Sequence, residues 1–184
     1  MNTRLKDIYD KKITSTLMGK LKYKNRHQVP KLIKVVLNMG LGSDSSDSKK
    51  VKSCVEDMTM ITGQKAVVTR FKKSISNFKT RKGTSAGVKV TLRSEKMYEF
   101  LDRLINIALP RIKDFRGLSP KGVDNSANFS FGIKEHIIFP EVSFDRADKV
   151  RGLDIIIVIS SKGKDHSFAL LEKLNFPFIK KGEN

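Results

Sequence analysis

The sequence predicts an α+β fold in which helices pack on one face of a mostly antiparallel sheet, with a split βαβ-like (βαββαβ) core. In the clearest strand, residues 88–93, the apolar residues Val88, Val90 and Leu92 alternate with polar side chains, which is typical of a strand with one buried face. Apolar stripes of helical period flank this strand in the chain. The elements follow in the order helix, strand-helix-strand-strand-helix-strand, strand and helix.

The first half of the chain supplies the N-terminal helix and the start of the core. Apolar residues at helical spacing predict an amphipathic helix over residues 3–20. A strand over residues 31–39 follows Pro30, and a second helix ends at Gly63. The stripe of that second helix is Val51, Cys54, Val55, Met58 and Ile61. Along the strand, alternation points Ile33, Val35, Leu37 and Met39 to the core, and Leu32, Lys34, Val36 and Asn38 to the other face.

The second half completes one domain, residues 1–184, because no linker long enough to divide the chain interrupts it. A short strand over residues 64–69 leads into residues 70–86, a long basic loop or an extended hairpin. Ser94 is expected to cap a helix that stops before Pro110. The remaining elements are a strand over residues 129–133, a buried strand over residues 153–160 and a last helix over residues 165–174.

Composition excludes several classes of protein. The chain has 184 residues and a single cysteine, Cys54, so it has no internal disulfide framework and no cysteine-built zinc site, which indicates a reducing compartment such as the cytoplasm or the interior of an organelle. The N-terminus lacks the apolar core of a secretory signal. The longest apolar run, Ile155 to Ile159, is far shorter than the roughly 20 residues of a membrane span. We therefore expect no membrane partner.

The positive charge is concentrated in the first half. Residues 1–94 hold 22 Lys or Arg against 6 Asp or Glu, a net charge of +16, whereas residues 95–184 hold 15 against 13, a net charge of +2. Asp57 and Glu95 are separated by 37 positions without an acidic residue. A solvated surface selected for solubility is the alternative, but solubility does not require so long an acid-free stretch. A partner with phosphates is the better interpretation.

The predicted strands indicate where that partner binds. If helices cover one face of the sheet, the outward side chains form the other face. These are amides, hydroxyls and cations, which suit contacts with RNA backbone and 2′-hydroxyls better than a core. An ordinary solvated face remains the alternative. The outward set is Lys34, Asn38, Gln64 or Lys65, Lys89, Thr91 and Arg93.

The 70–86 segment interleaves cations with aromatic residues, as nucleic-acid-binding loops do. Phe78 either stacks on an unpaired base or anchors the loop to the core. By contrast, the three histidines are far apart and carboxylates are rare in the basic half, so an enzyme is not expected and neither is a metal or another cofactor.

Eight segments, in order from residue 28 to the C-terminal region, resemble the large-subunit ribosomal protein L5 family, bacterial or organellar type. They are Gln28-Val29-Pro30, Leu37-Asn38-Met39-Gly40, Ile61-Thr62-Gly63-Gln64-Lys65, Val88-Lys89-Val90-Thr91-Leu92-Arg93, Pro110-Arg111-Ile112-Lys113-Asp114-Phe115-Arg116-Gly117-Leu118, Ile137-Ile138-Phe139-Pro140-Glu141, Val150-Arg151-Gly152-Leu153-Asp154 and Phe176-Pro177-Phe178.

The resemblance implies a structural protein of the ribosomal central protuberance that binds 5S rRNA through its sheet. Its RNA-facing positions match Lys34, Asn38, Gln64, Phe78 and Thr91 here, and four of these five are already in the outward set. The long loop is implied to contact peptidyl-site tRNA through Lys72, Lys73, Lys79, Arg81 and Lys82. Further implied partners are 23S-type rRNA, neighbouring large-subunit proteins and a small-subunit protein across an intersubunit bridge.

The chain departs from the family pattern at two places. Ala66 stands where a proline is common, and Thr84-Ser85-Ala86 replaces an aromatic-proline-isoleucine run that we place at the loop tip. Two rival functions share the charge argument. One is a general nucleic-acid-binding module outside the ribosome, and the other is an RNA-modifying or RNA-cleaving enzyme.

Overall fold

The computed structural model describes residues 3–142 and 148–179 and has the predicted α+β organisation, with a five-stranded antiparallel sheet. The strand order is β2-β3-β1-β5-β4, and β2 and β3 form an antiparallel hairpin. The strands are β1 (Lys31–Gly40), β2 (Val67–Arg70), β3 (Ser85–Leu92), β4 (Phe129–Ile133) and β5 (Leu153–Ser160).

Within the described residues, five α-helical segments accompany the strands, and two of them are extended by a π-helical turn. The N-terminal helix predicted over residues 3–20 is α1 (Arg4–Ile8), a π-helical turn (Tyr9–Ile13) and α2 (Thr14–Lys20). The others are α3 (Ser48–Thr62), α4 (Ser94–Arg103) with a π-helical turn at Leu104–Ala108, and α5 (Lys164–Lys173). No helix within the described ranges is long and apolar enough to cross a membrane.

The chain divides into two compact units. The described residues of the first unit are 3–35, 93–131 and 156–179, and those of the second are 36–92, 132–142 and 148–155. The boundaries fall inside β1, β4 and β5. The single domain over residues 1–184 therefore stays a prediction.

The core of the first unit is built on aromatic side chains. Phe129 contacts the rings of Phe176 and Phe178 edge-on, at centroid distances of 6.2 and 5.4 Å. The N-terminal helix lies against α4, where the rings of Tyr9 and Tyr98 are 6.2 Å apart.

In the second unit, α3 packs on one face of the β2–β3 hairpin. Its stripe residues Cys54, Met58 and Ile61 are fully buried, as the helical spacing predicts. Asp47 caps the helix by accepting a hydrogen bond from the Lys49 N–H (2.9 Å). Gly63 ends it with φ +63°, a left-handed conformation that favours glycine.

Three details of the predicted elements are wrong. At the start of β1 the predicted alternation is reversed, since Leu32 is buried and Ile33 is 41% exposed. This end of the strand lies beside the N-terminal helix, whose Tyr9 hydroxyl donates a hydrogen bond to the Pro30 carbonyl oxygen. The strand β5 is buried on one face only, since Asp154 and Ile156 are exposed. Ser94 is the first residue of α4, with φ +49°, and the capping position before it is occupied by Arg93.

Candidate nucleic-acid interface

One face of the β2–β3 hairpin is polar, and the strand register explains why. Thr69 lies opposite Gly87, and Val67 lies opposite Lys89. Directly opposed residues share a face of an antiparallel pair, and alternate residues along a strand share it too. Thr91 therefore lies on the same face as Lys89, whereas Val88, Val90 and Leu92 are buried on the other.

Asn38 of β1 joins this face beside Gly87. A Cβ at Gly87 would lie 2.9 Å from the Met39 carbonyl oxygen, 3.5 Å from Thr69 Oγ1 and 3.6 Å from Asn38 Oδ1. The Thr69 hydroxyl donates to the Gly87 carbonyl oxygen (3.0 Å). The missing side chain thus leaves a space at Gly87 that the Asn38 amide and the Thr69 hydroxyl both border.

Gln64 is held next to this face by the end of α3. The left-handed turn at Gly63 brings the Gln64 carbonyl oxygen to the Thr62 hydroxyl, which lies 3.0 Å away. The Gln64 side chain then donates from Nε2 to the Thr91 carbonyl oxygen (3.2 Å). We call Asn38, Gln64, Thr69, Lys89 and Thr91 the polar strip.

The structure brings together part of the predicted outward set. Asn38, Gln64, Lys89 and Thr91 belong to the second unit, as does Lys65, which is exposed in the link before β2. Lys34 on β1 and Arg93 after β3 belong to the first unit.

Sequence reasoning missed Thr69 and the role of Gly87. It began β2 at residue 64, whereas the strand begins at Val67 and Gln64 lies in the turn after α3. Thr69 is identified by its position on β2: it lies two residues after Val67, which is 59% exposed, and alternate residues of a strand share a face.

Residues 70–84 extend the β2–β3 hairpin, so the alternative of an extended hairpin is confirmed. The Phe71 N–H donates to the Thr84 carbonyl oxygen, and the Gly83 N–H donates to the Phe71 carbonyl oxygen, both at 3.0 Å. Farther out, Ile75 and Thr80 exchange backbone hydrogen bonds of 3.1 and 3.2 Å around a turn over residues 76–79. We call residues 70–84 the basic hairpin.

Two expectations about this segment are corrected. Phe78 is 75% exposed in the terminal turn, so it does not anchor the loop to the core. Because Phe78 lies in this terminal turn, it is not part of the polar strip. Thr84-Ser85-Ala86 lies at the base of the hairpin rather than at its tip, and the Ala86 carbonyl oxygen accepts a hydrogen bond from the Leu41 N–H (3.2 Å).

The basic hairpin carries six cations and no carboxylate. None of these cations forms an ion pair with any residue that the structure describes. Unpaired cations of this kind can neutralise phosphates without first breaking an internal contact. They are Arg70, Lys72, Lys73, Lys79, Arg81 and Lys82.

The second unit also contains a buried charge cluster, which we define as Asp44, Asp57, His136 and Arg151. The Arg151 guanidinium lies 3.3 Å from Asp44 Oδ2, and Nε2 of His136 lies 3.7 Å from Asp57 Oδ2. Nδ1 of His136 lies 3.1 Å from the Arg151 backbone nitrogen and 3.2 Å from the Arg151 carbonyl oxygen, so the ring accepts from the N–H in one tautomer and donates to the carbonyl in the other. Burial lowers the pKa of His136 and raises the pKa of Asp57.

Neither in this cluster nor elsewhere in the described ranges do three His, Cys, Asp or Glu side chains come close enough together to hold a metal ion. The arrangement therefore offers hydrogen-bonding groups and cations for a polyanion.

Comparison with known proteins identifies the family. Residues 25–81 match the family model described as ribosomal protein L5, and residues 85–178 match the model described as the ribosomal L5P family C-terminus. The chain is 70% identical over 184 residues to the large ribosomal subunit protein uL5 of Pelagibacter ubique, covering 100% of both chains. It is 53% identical over 178 residues to the protein of the same name from Caldanaerobacter subterraneus, covering 97% of this chain and 99% of the relative. The chain therefore belongs to the ribosomal protein L5 family of structural, non-catalytic large-subunit proteins.

Proposed function

We propose that the chain binds 5S rRNA in the central protuberance through the polar strip and contacts peptidyl-site tRNA through the basic hairpin. Family membership makes it a ribosome-associated cytoplasmic protein and a structural constituent of the large subunit, with ribosomal RNA and ribosomal proteins as its general partners. The two specific RNA contacts are our proposal.

The observation that carries the 5S assignment is the space at Gly87, which the Asn38 amide and the Thr69 hydroxyl both border. An amide donates and accepts, and the Thr69 hydroxyl, which donates to the Gly87 carbonyl oxygen, still accepts, so the two groups match the 2′-hydroxyls and base edges of RNA. Lys89 is exposed on the same face and supplies the charge for a phosphate.

The basic hairpin supports a separate contact because it differs from the polar strip in chemistry. It presents cations and one exposed aromatic ring, Phe78, at the end of a projecting turn. Rings of this kind stack on unpaired bases, and the cations follow the backbone. We therefore assign the cations to the tRNA contact and Phe78 to stacking on an unpaired base.

The first experiment measures binding to 5S rRNA and to an unrelated structured RNA of equal length at near-physiological salt. We expect a preference for 5S rRNA of about a hundredfold or more, on the order of 3 kcal/mol. Equal affinity for both RNAs would contradict the 5S assignment and favour the general nucleic-acid-binding module.

Single substitutions then test the polar strip. Asn38→Ala and Thr91→Val each remove one hydrogen-bonding side chain and should weaken 5S binding by roughly 1–2 kcal/mol. Lys89→Gln should weaken it as well, whereas Lys52→Gln, which removes an exposed cation of α3, is the matched control and should not. Unchanged affinity in all three strip variants would contradict the assignment.

The basic hairpin is tested by Lys79→Gln, Arg81→Gln and Lys82→Gln combined. We expect this variant to keep its 5S affinity and to lose affinity for tRNA when assembled into large subunits. A steep loss of 5S binding would show instead that the hairpin belongs to the 5S contact. Phe78→Ala, measured with both RNAs, decides which of them the ring stacks on. Contacts with 23S-type rRNA, with neighbouring proteins and across the intersubunit bridge are part of the same proposal.

A further inference from the structure

The first unit contains a second concentration of positive charge. Residues 11–43 span 33 positions with eight Lys or Arg and no Asp or Glu. In length this stretch is comparable to the acid-free one that includes the basic hairpin. Five exposed cations of the stretch lie within residues 20–31, which we call the basic turn: Lys20, Lys22, Lys24, Arg26 and Lys31.

We propose that the basic turn binds the phosphate backbone of double-helical ribosomal RNA, independently of the polar strip. The proposal rests on the proposed function in that ribosomal RNA is the partner. It adds a second contact surface, with its own RNA chemistry.

Tyr23 anchors the turn. Its ring is buried and lies edge-on to the ring of His166 at a centroid distance of 5.5 Å, and its hydroxyl is hydrogen-bonded to His166 Nδ1. The Lys162 ammonium lies 5.5 Å from the centre of the same ring. Lys22 and Lys24, on either side of the anchor in the chain, are exposed. Because Tyr23 anchors the backbone between these two lysines, little conformational entropy is lost when the turn binds a ligand.

The conformation of Lys22 is the second observation. The residue ends the N-terminal helix with φ +53°, and the next N–H, of Tyr23, donates back to the Met18 carbonyl oxygen (3.1 Å). This is the position at which helices favour glycine, because a side chain in the left-handed region is strained. A lysine at a position that favours glycine is explained if its positive charge binds a ligand.

The cations of the basic turn are weakly neutralised. Lys20 lies 3.7 Å from Glu172 and Arg26 lies 3.9 Å from Asp10, and all four side chains are exposed, so these pairs contribute little. Lys22, Lys24 and Lys31 form no ion pair with a residue in the described ranges. Three charges are therefore open to phosphates.

The scarcity of exposed rings favours a double helix over unpaired bases. The Tyr23 ring is buried, and the exposed ring of the basic turn is the small imidazole of His27. Five exposed cations around one small ring suit the phosphates of a duplex, whose bases are paired and stacked, better than a run of unpaired bases. In this respect the basic turn differs from the basic hairpin, which exposes Phe78.

The test uses the full chain and two probes, 5S rRNA and a perfect RNA duplex of unrelated sequence. The variant Lys22→Gln/Lys24→Gln should bind the duplex about three- to tenfold less tightly and show a smaller salt dependence, by about one to two in the log-log slope. Lys164→Gln/Lys173→Gln is the matched control: it makes the same charge change on α5, where Asp165 and Glu172 stand beside the two lysines.

A third variant, Lys22→Gly, separates charge from structure. We expect it to raise the thermal midpoint, because the left-handed strain is removed, and yet to lower duplex affinity. Unchanged duplex affinity in Lys22→Gly, or equal losses in the lysine pair and its control, would overturn the proposal. Asn38→Ala, measured on 5S rRNA in the same series, reports on the polar strip separately, so failure of one surface is distinguishable from failure of the other.

Discussion

Two groups of charges in the second unit contrast with each other. In the buried charge cluster, Arg151 is 5% exposed and His136 is fully buried, and each faces a carboxylate. In the basic hairpin, the cations are exposed and face no carboxylate among the described residues. The same kinds of side chain therefore serve two purposes. Groups that face an internal partner are part of the packing of the unit, whereas exposed cations without one in the described residues stay available to an external partner.

The largest expected effect comes from breaking the cluster. Arg151→Met removes the buried partner of Asp44 and leaves this carboxylate with two more exposed ones, the ammonium groups of Lys50 (3.3 Å) and Lys149 (3.7 Å). Because Asp44 keeps these weaker partners, we expect the free energy of unfolding in urea to fall by about 1–3 kcal/mol. Lys149→Gln is the control, since Lys149 also faces Asp44 (3.7 Å) but is exposed, and it should change stability little. Equal effects of the two variants would erase the distinction between buried and exposed partners.

A smaller effect, of opposite sign, is expected at Asp57. Burial raises the pKa of this carboxyl, so the folded state disfavours its ionised form at neutral pH. Asp57→Asn should therefore be at least as stable as the unchanged chain at pH 7. The advantage should shrink as the pH falls through the raised folded pKa, and it should be gone below about 3.8, where the carboxyl is protonated in both the folded and the unfolded chain. Denaturant unfolding at several pH values measures this, and a less stable variant at pH 7 would show that the ionised carboxylate is needed.

His136 adds a pH dependence of its own. Burial lowers its pKa, so the neutral ring is favoured in the folded state. Its contribution to stability is complete above the unfolded value of about 6.5 and is lost as the pH falls below that value toward the folded pKa. In the Asp57→Asn variant, where the carboxyl no longer titrates, unfolding should become easier as the pH drops from 7 to 5. A flat profile over this range would contradict a neutral, buried His136.

The smallest effect is expected in the basic hairpin. Lys79→Gln, Arg81→Gln and Lys82→Gln combined remove three exposed cations that have no internal partner, so the free energy of unfolding should change by less than about 0.5 kcal/mol. Thermal unfolding of the free protein checks this. A clear loss of stability would mean that these cations stabilise the fold, as the groups of the buried charge cluster do, and the two sets of charges would then not differ in this respect.

Burial was predicted most accurately from the sequence where another element covers one face of the strand or helix. The alternation of Val88, Val90 and Leu92 holds because α3 packs on that face, and Cys54 is a core residue as its place on a helical stripe indicates. At Leu32 and Ile33 the same rule fails, because the start of β1 lies beside the N-terminal helix, which the pattern of the strand does not encode.

The polar strip was predicted in part, because alternation finds residues on strands but not residues in turns. Asn38, Lys89 and Thr91 follow from the strand pattern, whereas Gln64 depends on the left-handed turn at Gly63 and on a hydrogen bond to a strand carbonyl. The meeting of Thr69 and Asn38 at Gly87, from the strands on either side of β3, is a tertiary feature without a local signal. The buried charge cluster was missed for the same reason, since its members are distant in sequence.

Cys54 makes the stability of this molecule measurable inside a mixture. Burial raises the pKa of its thiol, and the thiolate is the reactive form, so the folded chain should be inert to alkylating reagents. Because the chain has no other cysteine, every alkylation event reports an opening of the α3 region. The alkylation rate, followed by mass, then gives the free energy of that opening for the protein alone and with bound RNA, without a spectroscopic label or a tryptophan.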